Sequence, residues 1–532
     1  RALVTITYAP ACLPCMAYGQ GPLGLNKTKL VDRTVMNVAM GTNAVNGNTS
    51  GLRNTGIGFQ ALANGLTAND NAALGHNAGV NLTTGHSSVA IGSSALYTED
   101  TGRKNVAIGF EALKTQDADV DNFNVAVGYQ SGKGVTDGIE NTIIGALAGD
   151  AVTTADNNTL IGSLAGTTLI GGGENTAVGR AALFAANTGT QNVAIGAQSL
   201  STNTSASFNV AVGYKAGQLN VTGVELVAVG YEALLSSTET GQTAVGYKAL
   251  RLSTGDDNTF IGAFAGTALT TGHSSVAIGF GALDLEDTGR KNVAVGFNAL
   301  TTQNADVDNF NVAVGFEAGK AVTTGVKNTL IGAGAGDAIT DADFNVAVGM
   351  GSLTTNVLGS KSVAVGQGTL SDQNPATAVD MLNTAVGHSA GASVSTGLYN
   401  TFIGGLSGDA LTTGNNNATL GAFSLSADTL GSKSTAIGVQ ALELQNFTTA
   451  TDTFNVAVGH RAGVAVTSGT HNTLIGGLAG DAITTGNNNS AVGYSALGLN
   501  TTGASNAAFG LLSLAANTTA SFNSGFGQNS LA

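Results

Sequence analysis

The chain has 532 residues, of which 77 are glycine, 10% are charged and none is tryptophan, and its formal net charge is −14. A hydrophobic share of 42% excludes a disordered chain, while an aromatic share of only 5% points to a thin, repetitive core rather than several large globular ones. The 20 lysine and arginine residues form no stripe, which excludes the phosphate-neutralising surface of a nucleic-acid binder, and no apolar run reaches the roughly 18–20 residues that span a bilayer.

Residues 1–36 stand outside the repeat that fills the rest of the chain. The start at Arg1 rather than at methionine fits removal of a signal peptide, which gives the expectation of an extracellular or cell-surface protein. Val4, Ile6 and Tyr8 alternate with Thr5 and Thr7 and read as an amphipathic strand. That strand either caps the first coil of its own chain or contacts the next subunit, adding to its open terminal coil and giving an end-to-end filament. Cys12 and Cys15 have redox-motif spacing, but no βαβ pattern surrounds them. A structural disulfide, within or between chains, is the expected role in an exported protein. Two cysteines cannot complete a tetrahedral zinc site within one chain.

From residue 37 to 532 one pentapeptide recurs: Asn, then Val or Thr, then Ala, then Val or Ile, then Gly. Asn105-Val-Ala-Ile-Gly109 and Asn311-Val-Ala-Val-Gly315 are examples. Aligned on the final glycine there are 29 copies, from Gly41 to Gly527, and 22 of the 28 intervals are 17 residues long. The other intervals are 16, 16, 19, 19, 21 and 21 residues. Blocks are copied as well: His86 to Gly92 returns as His273 to Gly279, 187 residues later. Such growth is tolerated where each unit contacts only its neighbours. A glycine and a Thr-Gly turn in every unit leave no stretch long enough for a helix. The pattern predicts an all-β, parallel β-solenoid of about 29 coils with a 17-residue period. Each coil is expected to hold two short strands, the Val-Ala-Val segment and the Ala-Leu segment seen at Glu111-Ala-Leu113.

Alternation along a strand places the residues one and three before the glycine on one face, and the alanine and glycine on the other. The larger side chains are expected to point into the coil. The face of Ala and Gly, small enough for another backbone to approach, is expected to contact identical chains in a homo-oligomer. Asn opens 23 of the 29 units, with Ser88, Leu226, Gln242, Ser275, Ser362 and Ser434 as the exceptions. These asparagines read as turn formers stacked in an amide ladder. With rungs about 4.8 Å apart, 29 coils would make a rod roughly 140 Å long.

Iterated Ser88-Val-Ala-Ile-Gly92 and Asn105-Val-Ala-Ile-Gly109 runs resemble the head repeat of trimeric autotransporter adhesins, the YadA-like family. Similar pentapeptide arrays occur in phage tail-fibre-like proteins. The resemblance implies a left-handed parallel β-roll with one repeat per coil and three chains packed side by side.

Few residues suggest other chemistry. Asp117, Asp119 and Asp121 place carboxylates at alternate positions, a pattern that suits Ca²⁺. The EF-hand reading fails because Asn122 and Gly128 occupy the places that need Gly and Glu. A solvated bulge is the plainer reading. His76, His86, His273, His388, His460 and His471 are scattered singly without metal spacing and are expected at the surface. The sequons at Asn81, Asn203, Asn220 and Asn517 are frequent by composition and weak signals of glycosylation. No phosphate loop or nucleophile elbow sits in strand–helix context.

The expected function is therefore not enzymatic. It is a structural extracellular fibre or adhesin segment, a stiff homo-oligomeric rod whose partners are itself and surface or matrix glycans and proteins. The alternative is a phage tail fibre that binds host surface glycans. An ice-binding solenoid would favour flat Thr-x-Thr arrays, whereas these turns carry Thr-Thr-Gly. A solenoid lyase would need a carboxylate and base cluster at coil spacing, and none recurs.

Overall fold

The computed structural model describes residues 36–531. The strand at Val4, Ile6 and Tyr8 and the pair Cys12 and Cys15 lie outside the described residues. The chain divides into two compact units at Glu174 and Asn175. Each unit is a parallel β-solenoid with one three-residue strand per marker glycine, and no helix occurs among the described residues. The first unit holds eight such strands, from Val38–Met40 to Thr159–Ile161, and the second holds 21, from Thr176–Val178 to Ser524–Phe526. Within each unit successive strands pair in parallel with the pentapeptides in register, so that Val106 faces Val125 and Ala107 faces Ala126.

The expected second strand is absent. The Ala-Leu segment is a turn in which two residues adopt left-handed backbone, as Glu111 at φ 53° and Leu113 at φ 46°. Coil-to-coil bonding survives the turn. The Glu111 N–H donates back to the Ser93 carbonyl and the Leu113 N–H donates forward to the Ser131 carbonyl, at 2.9 and 3.1 Å. Alternating handedness thus satisfies the backbone without extended geometry, at the cost that left-handed conformation carries for a residue with a side chain.

The strand faces are the reverse of the expectation. In Val106–Ile108 the central alanine is fully buried and both flanking residues are half-buried, and this pattern repeats along the ladder. The reason is the narrowness of the coil. Leu113 of the turn, fully buried, fills the interior, and across from it only a methyl group fits. Size is exchanged between positions in a compensating way. Where the strand carries Ile143, the turn carries Gly149 in place of leucine, and a Cβ there would lie 3.0 Å from Leu160 and 3.1 Å from Val152. The coil of Phe260 does the same with Gly266, where a Cβ would collide with the phenylalanine ring. The marker glycine is required by contact as well as conformation: Gly128 sits at φ 144°, and a Cβ would lie 2.5 Å from the Gly145 carbonyl oxygen.

The asparagines form a buried spine. Asn328 is typical. Its Nδ2 donates to the Ala342 carbonyl across its own coil at 2.8 Å, and its Oδ1 accepts the Asn345 N–H of the next coil at 2.9 Å. The Asn328 N–H in turn donates to Asn311 Oδ1 at 2.8 Å. Side chain to backbone is the main linkage, with side-chain amide contacts only in some steps, such as Asn158 to Asn141 at 3.1 Å. Serine supplies the acceptor where it replaces asparagine, as Ser88 Oγ does for the Asn105 N–H at 3.2 Å.

Asn328→Ala leaves a buried carbonyl and a buried N–H unpaired, a loss of about 2 kcal/mol or more by the usual penalty for orphaned polar groups. Amide exchange in the coils of Gly315, Gly332 and Gly349 is expected to accelerate while distant coils stay protected. Unchanged exchange there would show that the spine does not hold the coils together.

Candidate functional site

Because alanine points inward, the larger strand residues form an apolar face on the outside. Ile278 is 38% exposed and Ile195 40%, and the parallel register stacks them into columns. Beside these columns, on the residue after the marker glycine or the one following it, runs a ladder of rings. Tyr214, Tyr231, Tyr247, Phe264, Phe280, Phe297 and Phe316 follow one another with centroids 5.2–5.6 Å apart, stacked except at Phe264, which meets Tyr247 and Phe280 edge-on. Most of these rings are exposed, from 42% at Tyr231 to 56% at Phe316. Lys215 and Lys248 lie against the rings of Tyr214 and Tyr247 at 5.3 and 5.2 Å. Arg251 reaches Glu232 at 3.0 Å and Lys320 reaches Glu317 at 2.9 Å.

A second feature marks the four long coils. Each carries glutamine seven residues after its marker: Gln116, Gln303, Gln373 and Gln445. The coil before carries Glu99, Glu286, Asn356 or Asp428 at the same place. All eight side chains are fully buried. The glutamine oxygen accepts from the next spine asparagine, as Gln116 does from Asn124 at 2.7 Å. The acid accepts backbone and amide N–H groups: Glu99 takes the Gly102 N–H at 2.6 Å and Asn122 Nδ2 at 3.2 Å. The inserted residues return to the preceding coil through an aspartate. Lys104–Asp121, Lys291–Asp308, Lys361–Asp380 and Lys433–Asp452 pair at 2.6–2.7 Å. In three of these coils the same lysine lies over a phenylalanine, as Lys104 over Phe123 at 4.5 Å. Sequence reasoning missed this module, although glutamine seven residues after the marker occurs in the long coils alone.

The geometry separates the three aspartates read as a Ca²⁺ motif. Asp121 pairs with Lys104, Asp119 accepts the Thr101 hydroxyl, and Asp117 turns toward Glu99 and Asp100. Among the described residues, Glu99, Asp100 and Asp117 are the one acidic group whose oxygens come within 4.8 Å of each other and could share a cation. Burial, reinforced by Asp117, Asp100 and Asp119, pushes the Glu99 carboxyl up to about 7 against the pull of the Gly102 N–H. Burial also raises Glu286 and Asp428.

The histidines sit singly and are half-buried or exposed, with His76 stacked on Phe59 at 5.3 Å. Asn203 and Asn220 are fully buried and donate to the Ala206 and Gly223 carbonyls, so both carboxamides serve the interior of the coil. No helix among the described residues is long and apolar enough to cross a membrane. Neither a protein-family model nor a curated protein matches this chain.

The sign of the Glu99 effect is fixed by its direction. A carboxyl whose proton is held more tightly in the folded state stabilises fully below about 4.5, and the contribution is lost as pH rises through about 7. The whole effect is at most about 3 kcal/mol. The wild-type-minus-Glu99→Gln difference in thermal midpoint is expected to fall between pH 5 and pH 8, as the Glu99 contribution is lost. A difference that stays constant across that range would show that Glu99 does not titrate there.

Proposed function

We propose that this chain is a structural segment of an extracellular fibre or adhesin that assembles side by side with copies of itself into a stiff homo-oligomeric rod. The observation that carries this reading is the outward apolar face. Exposed patches beyond a few hundred Å² are uncommon on monomers and mark interaction surfaces. In the second unit alone the strand face spans 21 rungs. At about 4.8 Å per rung and a width of about 10 Å it offers roughly 1,000 Å², above the roughly 800 Å² per partner of a standard specific interface.

The interface follows from the reversed faces. The small residues that would admit a neighbouring backbone are inside the coil, so copies meet through valine, isoleucine and rings. A parallel trimer is the arrangement implied by the resemblance to adhesin heads. An extracellular location agrees with that resemblance and with an exterior low in charge. The role is mechanical, since repeated rungs resist local unfolding through their neighbours on both sides.

Sedimentation of the full chain is expected to give a multiple of the 52.4 kDa chain mass, and electron micrographs to show elongated particles. Ile261→Asp with Ile278→Asp alters two residues that are only half-covered in the single chain. That variant is expected to keep its far-ultraviolet dichroism and to dissociate at least tenfold more readily, by the cost of placing charge in an apolar contact. A wild-type chain that sediments as a monomer would overturn the proposal.

A further inference from the structure

The asparagine spine is interrupted in one stretch of the second unit. Leu226 and Gln242 stand consecutively where most units carry asparagine, and the coils from Gly230 to Gly246 and from Gly246 to Gly262 are the two of 16 residues. Leucine offers no acceptor, so the axial bond that would receive the Gln242 N–H is missing. Gln242 turns its Nε2 to Ser237 Oγ at 2.9 Å. Its Oε1 has no hydrogen-bond partner, so the axial bond to the Asn258 N–H is missing as well. Asn209 Nδ2 is also without a partner, while Asn220 Nδ2 takes the Gly223 carbonyl at 2.9 Å. The spine resumes at Asn258, whose Oδ1 accepts the Ser275 N–H at 3.0 Å. Serine at Ser275 leaves no such gap, since its Oγ accepts the Asn292 N–H at 3.3 Å.

The Thr-Gly turns loosen at the same place. Eight residues after the marker, the Thr204 N–H donates to the Val221 carbonyl at 3.3 Å and the Thr254 N–H to the Thr270 carbonyl at 2.6 Å. Val221 and Thr238 hold that place in the two coils between, and neither N–H makes the equivalent bond. Thr222 reaches across with its hydroxyl instead, to the Thr238 carbonyl at 3.3 Å. The strand side is intact. The Val227 N–H donates to the Gln242 carbonyl at 2.9 Å, the Gly246 N–H to the Val229 carbonyl at 2.8 Å and the Leu234 N–H to the Ala249 carbonyl at 3.0 Å. Outside, Tyr231 stacks on Tyr247 at 5.2 Å and Glu232 pairs with Arg251 at 3.0 Å across the same contact. Tyr214 and Phe264 extend the rings over the coil contacts on either side.

We infer that the contact between the coils of Gly230 and Gly246 is a hinge built into the second unit. Its Thr-Gly side parts first, while its strand side stays closed beneath the splint of Tyr231, Tyr247, Glu232 and Arg251. A stack in which each coil touches only its neighbours opens where the fewest bonds cross between them. Bending here breaks no spine bond, whereas bending at a regular contact breaks an asparagine bond and a turn bond together. Stacked and edge-on ring pairs are both favourable, so the splint follows a change of angle that a hydrogen bond would not survive. The contacts all lie within one chain, and the hinge therefore does not depend on the lateral assembly proposed above.

Hydrogen exchange on the full chain tests this. Residues 219–241 are expected to exchange at least about tenfold faster than residues 321–342 of the regular coils, the ratio set by the loss of one or two hydrogen bonds. Equal protection of the two segments would overturn the hinge. Tyr247→Ala is expected to speed exchange of residues 227–249 about tenfold by removing the splint. Phe297→Ala takes away a ring of like exposure where the axial bonds at Asn292 and Asn311 are present, and is expected to leave the surrounding coils protected. Equal acceleration by both variants, or by neither, would overturn the splint. Leu226→Asn supplies the missing acceptor and is expected to slow exchange of residues 219–241 about tenfold. Exchange as fast as in the wild type would overturn the spine gap as the cause of opening.

Discussion

Every other feature of this molecule depends on the bond from one coil's asparagine oxygen to the next coil's backbone N–H. A 17-residue coil encloses too little volume for water, so each polar backbone group that faces inward needs a protein partner. The carboxamide meets two needs from one side chain, with its nitrogen closing the coil on itself and its oxygen reaching along the stack. Asn328, for instance, is bonded to Ala342 in its own coil and to Asn345 in the next. Serine at Ser88 retains the axial bond but is too short for the transverse one. Leucine at Leu226 keeps only the donor of its own backbone, toward Asn209 Oδ1 at 3.0 Å, and Asn209 Nδ2 has no hydrogen-bond partner. The stack tolerates such gaps because the same rung is also bonded to both neighbours through its strand and turn.

The rung was legible in the sequence because its signal is a spacing, repeated until chance is excluded. Burial of the asparagines was legible in part: a turn former that recurs once per coil must stack. Which way the strand faces was not legible. Alternation at Val106, Ala107 and Ile108 separates two faces but does not say which one is inside. The usual preference for large apolar residues in the interior gave the wrong sign here. Interior size is set by the far wall of the coil, and that wall holds Leu113. The Ala-Leu segment misled for a related reason. Its composition suits a strand, yet left-handed backbone at Glu111 and Leu113 depends on bonds to coils on both sides, which no local pattern encodes.

Insertions show how the architecture absorbs irregularity. A longer coil displaces the transverse geometry of the spine, and a buried glutamine supplies the extra acceptor, as Gln303 does for Asn311 at 2.6 Å. The polar residue before it then needs an acceptor role of its own. Glu286 and Asp428 fill that place with a carboxyl, whereas Asn356 does so with an amide that accepts the Gly359 N–H and donates to the Gly359 carbonyl. The amide version shows that a charge is not required to build the module. A carboxyl in the same position adds titration to a structural role. The Ca²⁺ reading of Asp117, Asp119 and Asp121 failed to bring its ligands together for the same reason: alternate positions in an inserted loop are pulled to different partners.

The reversed faces also bear on where stability comes from. Burying an alanine methyl yields far less than burying a valine or isoleucine side chain, in proportion to the apolar area removed from water. Most coils therefore keep the smaller strand residue for their own core and leave the larger ones half-covered, while coils such as those of Ile143 and Phe260 bury a large residue opposite a glycine. A chain selected only for single-chain stability would gain by the opposite arrangement, if the coil were wide enough to hold it. The narrow coil forbids that, and the apolar surface it pushes outward is the same surface that lateral contact would remove from water. Charge is scarce along the strand columns and concentrated at turns and corners, in pairs such as Lys291 with Asp308 and Arg251 with Glu232. Charge thus lies at the edges of the face, and the strand columns carry uncharged side chains, valine and isoleucine interspersed with threonine as at Thr243 and Thr259.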